Sequence, residues 1–237
     1  MLPRVPHHPV VARAAAAAAT AWLLAGCTAG AVAPGPVADP PVPDDVLDLL
    51  VIGDSYAAGD GAQTAMTSFA WETGRDLGAR TAVDAVGGTG FVNPGPSGRD
   101  QRYATRVAAL PDAVLDVDVV VVEGGLNDRQ KPPDDVRDAA EGVLRSLVAR
   151  APHAQVVLVG ATAPQPAAAQ DSVAVNTALA GAARAVGVVF VDPVARGWFP
   201  ADEVAEYVGP DGLHPTQAGH DHLARLLAEV VADLPPG

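Results

Sequence analysis

Basic residues are scarce. The 237-residue chain carries 15 lysines and arginines against 28 aspartates and glutamates, a formal net charge of -13 at pH 7, and one lysine, Lys131. Nucleic-acid binding needs a basic face to neutralise phosphates, so the composition argues against that partner. Cysteine is scarcer still: Cys27 is the only one, and an intrachain disulfide is impossible. Aromatic residues make up only 4%. The marked apolar run near the N-terminus, AAAAAATAWLLAGC, is too short to span a bilayer as a mature helix. The nucleophile elbow G-x-S-x-G is absent around Ser55, Ser68, Ser97, Ser146 and Ser172, which disfavours an ordinary α/β-hydrolase. A metal site using His214, His220 and Asp211 is conceivable, but their spacing fits no zinc-binding pattern. There is no internal repeat beyond a βα rhythm and no second domain.

What is present is apolar: 49% of the residues are hydrophobic, enough for one sizeable core. Arg4 and Arg13 precede the apolar run, which closes on Leu24-Ala25-Gly26-Cys27. That ending resembles the lipobox of bacterial lipoproteins. The resemblance implies that Cys27 is lipidated and becomes the new N-terminus, leaving the protein anchored to the outer face of the cytoplasmic membrane or secreted. The plainer alternative is an Ala-rich signal helix with a chance cysteine. Residues 1–26 then form the signal segment, the Pro/Ala/Gly-rich stretch 27–45 a tether, and 46–237 the folded domain.

Short β-branched runs recur through that domain: LDLLVI at 47, TAVDAV at 81, VDVVVV at 117, QVVLV at 155 and GVVFV at 187. Their separation leaves room each time for a crossover helix, the pattern of a parallel sheet covered on both faces. Val136, Ala140, Val143, Leu144, Leu147 and Val148 recur at helical spacing between the third and fourth runs, with Asp134 and Asp135 early and Arg145 and Arg150 late. A final helix follows Thr216, a candidate N-cap, with Leu223, Leu226, Leu227, Val230 and Val231 on its buried side.

In an open parallel sheet, ligands sit beyond the carboxyl ends of the strands. The first run ends in Gly53-Asp54-Ser55-Tyr56, which puts a serine near the unpaired N–H groups of a helix start. There it either attacks a carbonyl or merely caps the helix, and the triplet alone favours neither. The second run ends in VGGTGF, whose glycines let a backbone N–H approach a substrate or simply make a turn. The third ends in EGGLND, placing Asn127 and Asp128 at the same edge, though Asn-Asp after glycines is also ordinary loop composition. In GPDGLHPTQAGH, Asp211 precedes His214 by three residues, so the carboxylate can fold back on one imidazole nitrogen and leave the other for a hydroxyl; a plain surface histidine is the alternative. His7, His8, His153, His220 and His222 fall in the export segment, a turn and the final helix, and compete poorly.

Taken together in chain order, GDSY, GGTG, GGLND and DGLHP resemble the four blocks of the SGNH subgroup of the GDSL esterase and lipase family, over Val46 to about Leu234. The resemblance implies a three-layer α/β/α sandwich around a five-stranded parallel sheet, flavodoxin-like. It implies Ser55 as nucleophile, His214 as base and Asp211 as its orienting partner. The oxyanion hole would come from the Ser55 N–H, the Asn127 amide and a glycine N–H, that of Gly88 or its neighbour Gly87. No metal or organic cofactor is implied. The implied reaction is two-step acyl transfer from a carboxylic ester. A short polar rim suits small acyl groups on carbohydrate or other small esters, cleaved by a monomer. An O-acyltransferase on cell-envelope glycans and a non-catalytic glycan-binding lipoprotein are the alternatives. Trp198, Phe199, Tyr207, Phe91 and Tyr103 lie in the long edge loops as candidate pocket residues, or else cover the core.

Overall fold

Five runs of aliphatic residues, each closed by glycine, asparagine or proline-containing loops, become five strands in the computed structural model, which describes residues 46–164 and 166–235. The signal segment, the tether and Cys27 lie outside the described residues. The strands are β1 (Asp48–Gly53), β2 (Arg80–Ala85), β3 (Val119–Glu123), β4 (Gln155–Val159) and β5 (Val189–Val191). They form one parallel sheet in the order β2-β1-β3-β4-β5. This is the expected α/β architecture. β3 sits at the centre and Val120, Val121 and Val122 are fully enclosed, which is why that strand reads as unbroken valine rather than as an alternating pattern.

The crossovers run one way from β1 to β2 and the other way from β3 through β4 to β5. Right-handed connections therefore place their helices on opposite faces. On one face α2 (Phe69–Leu77) packs with the last helix, α7 (Gln217–Ala232), which the one-turn α6 (Val204–Tyr207) precedes; on the other, α3 (Tyr103–Ala109) packs with α4 (Pro133–Arg150), and α4 with α5 (Pro166–Val186). Helix α4 buries Val136, Ala140, Val143, Leu144 and Leu147, but Val148 is exposed, one position off the stripe. Thr216 caps α7 by accepting the Gly219 N–H. Leu223, Leu227 and Val231 are buried on α7, whereas Leu226 and Val230 are only partly covered. β5 is shorter than its sequence run, and its first residue, Val189, is exposed at the sheet edge.

Strand order reverses between β1 and β3. A crevice opens there at the carboxyl ends, and both strands send their terminal loops into it.

Candidate active site

The site begins at Gly53. A side-chain carbon at this position would stand 2.9 Å from Glu123 Oε2 and would also collide with Ala57, so the chain turns from β1 into a helix only because no side chain is present. The helix, α1 (Ser55–Ala58), is one turn long. Its cap is Asp54, whose Oδ1 accepts the Tyr56 N–H at 3.0 Å. Ser55 is thus the first helical residue and not the cap, and its N–H is one of those a helix start leaves unpaired.

His214 arrives from 159 residues away. Its loop is closed by hydrogen bonds from Gly209 N–H to His214 O at 2.8 Å and from Gly212 N–H to Gly209 O at 2.9 Å. The buried Tyr56 hydroxyl donates to Leu213 O and fastens this loop to α1. Asp211 Oδ1 accepts the N–H groups of Leu213 and His214 at 3.0 Å each, while Oδ2 lies 2.6 Å from His214 Nδ1. His214 Nε2 then faces Ser55 Oγ at 3.1 Å. The Leu213 N–H, followed by the His214 ring and its N–H, holds the Asp211 carboxyl down at about 2. The ionised carboxylate fixes the Nδ1–H tautomer, leaving the Nε2 lone pair toward the serine.

Opposite the histidine, the chain turns after β2 from Val86 to Thr89, with the Thr89 N–H bonded to Val86 O at 3.3 Å and Gly88 at φ 75°. Positive φ at the third turn position demands glycine. The N–H groups of Gly87 and Gly88 donate to no other described residue. A carbon built on Gly87 would lie 3.7 Å from Ser55 Cβ, whereas one on Gly88 would meet the Pro96 ring. Asn127 closes this side. Its amide spans two acceptors, Asp54 Oδ2 and Thr89 O, at 2.9 Å each. The neighbouring Asp128 is a fastener: its buried carboxylate takes the N–H groups of Phe91, Val92 and Asn93 at 2.7, 3.2 and 2.8 Å, ordering the loop after the glycine turn.

Two buried carboxyls stand behind the serine. Burial, reinforced by the Asp54 charge, holds Glu123 far above the ordinary carboxyl range. Asp54 rises from 3.8 to about 6 through burial, partly offset by the Tyr56 N–H. At neutral pH the proton therefore sits on Glu123 and the charge on Asp54, where it holds the Asn127 amide. The raised value has a sign for stability. Asp54 binds its proton more tightly when folded, so its contribution is fully present below about 3.8 and is lost as pH rises through about 6. Urea unfolding of the wild type and Asp54→Asn is expected to show the wild type losing stability relative to the variant across that window and levelling off above it. A difference constant with pH would contradict the assignment.

Several supports left no recognised mark in the sequence. Arg106 bridges the ends of two strands, donating to Gly53 O and Asp84 O at 2.8 Å each. Its one signal is its place on the stripe of Tyr103 and Val107, a cation on the face that α3 buries. His220 is fully buried, with Nδ1 accepting the Phe69 N–H and Nε2 at Asp60 O, so both ring nitrogens are engaged away from His214. Phe91 and Tyr103 are not pocket residues: they pack edge to face inside the core, 4.8 Å between centroids. Trp198 is also buried, and Tyr207 stacks on His222. Phe199 does face a depression, beyond β4 and β5 and shared with Ala163, Pro193, Val194 and Val204.

Residues 51–222 match the GDSL-like lipase/acylhydrolase family. The chain belongs to that family. A GDSL lipase of Mycobacterium tuberculosis is 34% identical over 193 residues, covering 78% of this chain and 81% of that one. Among solved structures, a carbohydrate esterase family 2 enzyme of Corynascus thermopiles superposes with a TM-score of 0.63 at 22% identity, covering 83% of this chain and 68% of that one. The aryl esterase of M. smegmatis gives 0.60 at 20%, covering 80% and 100%. A putative SGNH hydrolase of Slackia heliotrinireducens gives 0.60 at 21%, covering 79% and 100%, so the fold is that of the SGNH hydrolases. As a GDSL-family member the protein is a carboxylic ester hydrolase.

Proposed function

We propose that this GDSL-family hydrolase removes short acyl groups from carbohydrate or other small esters by way of an acyl-enzyme on Ser55. The observation that carries the reading is the alignment of Asp211, His214 and Ser55, at 2.6 Å and 3.1 Å. His214 Nε2 takes the hydroxyl proton as Oγ attacks the ester carbon, then passes it to the departing alcohol oxygen. Water repeats the sequence on the acyl-enzyme, and the carboxylic acid leaves.

The oxyanion is received by the N–H groups of Ser55 and Gly88 and by the Asn127 amide. Asn127 keeps its hydrogen bond to the Asp54 carboxylate and exchanges the one to Thr89 O for the oxyanion, because a charged acceptor outcompetes a neutral carbonyl. The carbohydrate esterase among the structural neighbours supports an acylated sugar as substrate. The lipobox-like ending at Cys27 supports export and membrane attachment through that residue.

A series of p-nitrophenyl esters from acetate to palmitate tests the reading against wild type and Ser55→Ala. Turnover is expected to be greatest on acetate, to fall with chain length, and to vanish in the variant. Undiminished hydrolysis by Ser55→Ala would remove the serine from the chemistry. A preference for palmitate would overturn the short-acyl assignment.

A further inference from the structure

Asp60, in the loop that follows α1, places a further carboxylate at the mouth of the site. Its Oδ2 lies 3.8 Å from His214 Nε2, the atom that also faces Ser55, and 3.4 Å from where a side-chain carbon on Gly87 would stand. The side chain is 54% exposed, and its carboxylate hydrogen-bonds to no described residue; 3.8 Å is too long for such a bond to His214. Yet the backbone beneath it is fastened on three sides. Asp60 N–H donates to Ser55 O at 2.9 Å, and Asp60 O faces Nε2 of the buried His220 at 3.1 Å. Because Nδ1 of that ring accepts the Phe69 N–H, its proton resides on Nε2 and is donated to Asp60. Next along the chain, Gly61 lies so close to Pro215 O that any side chain would collide with it. The carboxylate is thereby held between the base and the glycine turn, open to whatever enters.

We infer that Asp60 is a specificity-determining residue that reads the alcohol half of the ester, accepting a hydrogen bond from a free hydroxyl adjacent to the acylated oxygen. The inference rests on the Ser55–His214 reaction proposed above and names the substrate feature that reaction selects. To receive its proton from Nε2, the departing oxygen must sit within hydrogen-bond reach of that nitrogen. A hydroxyl on the neighbouring carbon, about one hydrogen-bond length from that oxygen, is then within reach of Asp60 Oδ2, which stands 3.8 Å from Nε2. A carboxylate only accepts, so it favours a donor there and disfavours an anion. The substrate class is a partially acylated polyol or sugar with a vicinal hydroxyl, in preference to a simple alkyl ester.

Monoacetylglycerol and propyl acetate, each with the same acyl group, separate the possibilities. The ratio of kcat/KM for the first over the second is measured in the wild type, Asp60→Ala and Asp60→Asn. The ratio is expected to fall about tenfold to a hundredfold in Asp60→Ala, the range for loss of a hydrogen bond to a charged group, and less in Asp60→Asn, which keeps an acceptor oxygen. If both esters slow in proportion, Asp60 acts on the imidazole alone and the inference is overturned. An unchanged ratio with unchanged rates overturns it equally. A wild type that cleaves neither ester but turns over p-nitrophenyl acetate overturns the inference alone, and one that cleaves none of the three removes the Ser55 reaction as well.

Discussion

With His214 replaced by alanine, kcat for p-nitrophenyl acetate is expected to fall roughly ten-thousandfold or more, the scale on which the base of a nucleophile pair acts. The serine hydroxyl is a weak nucleophile until its proton has somewhere to go, and Nε2 at 3.1 Å is the acceptor that the site aims at it. No main-chain bond depends on the ring. Gly209 N–H reaches His214 O, Tyr56 reaches Leu213 O, and Asp211 Oδ1 holds two N–H groups of the same loop. The variant should therefore melt within a few degrees of the wild type while losing turnover. Retained turnover in a folded variant would show that another group takes the proton. Asp211 is a less clean target, because the carboxylate that orients the ring also closes the loop beneath it.

Asn127→Ala is expected to cost about 3 kcal/mol of transition-state stabilisation, or roughly a hundredfold or more in kcat, with KM little changed. The split follows from when the contact is made. In the resting enzyme the amide is satisfied by Asp54 and Thr89 at 2.9 Å each, so a ground-state ester carbonyl gains little from it. In the proposed mechanism the carbonyl oxygen displaces Thr89 O once it becomes an anion, and the interaction appears in the transition state alone. A rise in KM with kcat preserved would place Asn127 in substrate binding instead. A urea midpoint measured alongside separates this loss from loosening of the link between the β1, β2 and β3 loops.

The strands were legible because buried runs end at a residue that does not continue them: Gly53 closing β1, Gly124 after β3, Gly160 after β4. The four blocks that meet at the candidate site were legible because each follows a strand end or a glycine-shaped turn, where local chemistry dictates the residue type. Legibility failed where the partner was distant. Tyr56 and Leu213 are 157 residues apart, and Asp60 and His220 160 apart. Contacts of that separation leave no period in either segment. Asp54 and Ser55 are both good caps by composition, and only the turn after Gly53 assigns the cap to Asp54. The aromatics stayed open between pocket and core for a related reason. In a domain with few of them, the small aliphatic core still needs bulk, and Phe91 and Tyr103 supply it from positions that look like edge loops. Val148 and Val189 show the converse, since apolar side chains one step off a helix stripe or on an edge strand stay partly in water.

The most direct test is to treat the active enzyme with a fluorophosphonate and read the site of the adduct by peptide mass spectrometry. A single phosphonyl group on Ser55, accumulating in step with loss of esterase activity and failing to form on the His214→Ala protein, is the predicted result. Full inactivation with the adduct on another residue, or an active enzyme whose Ser55 never reacts, would contradict it.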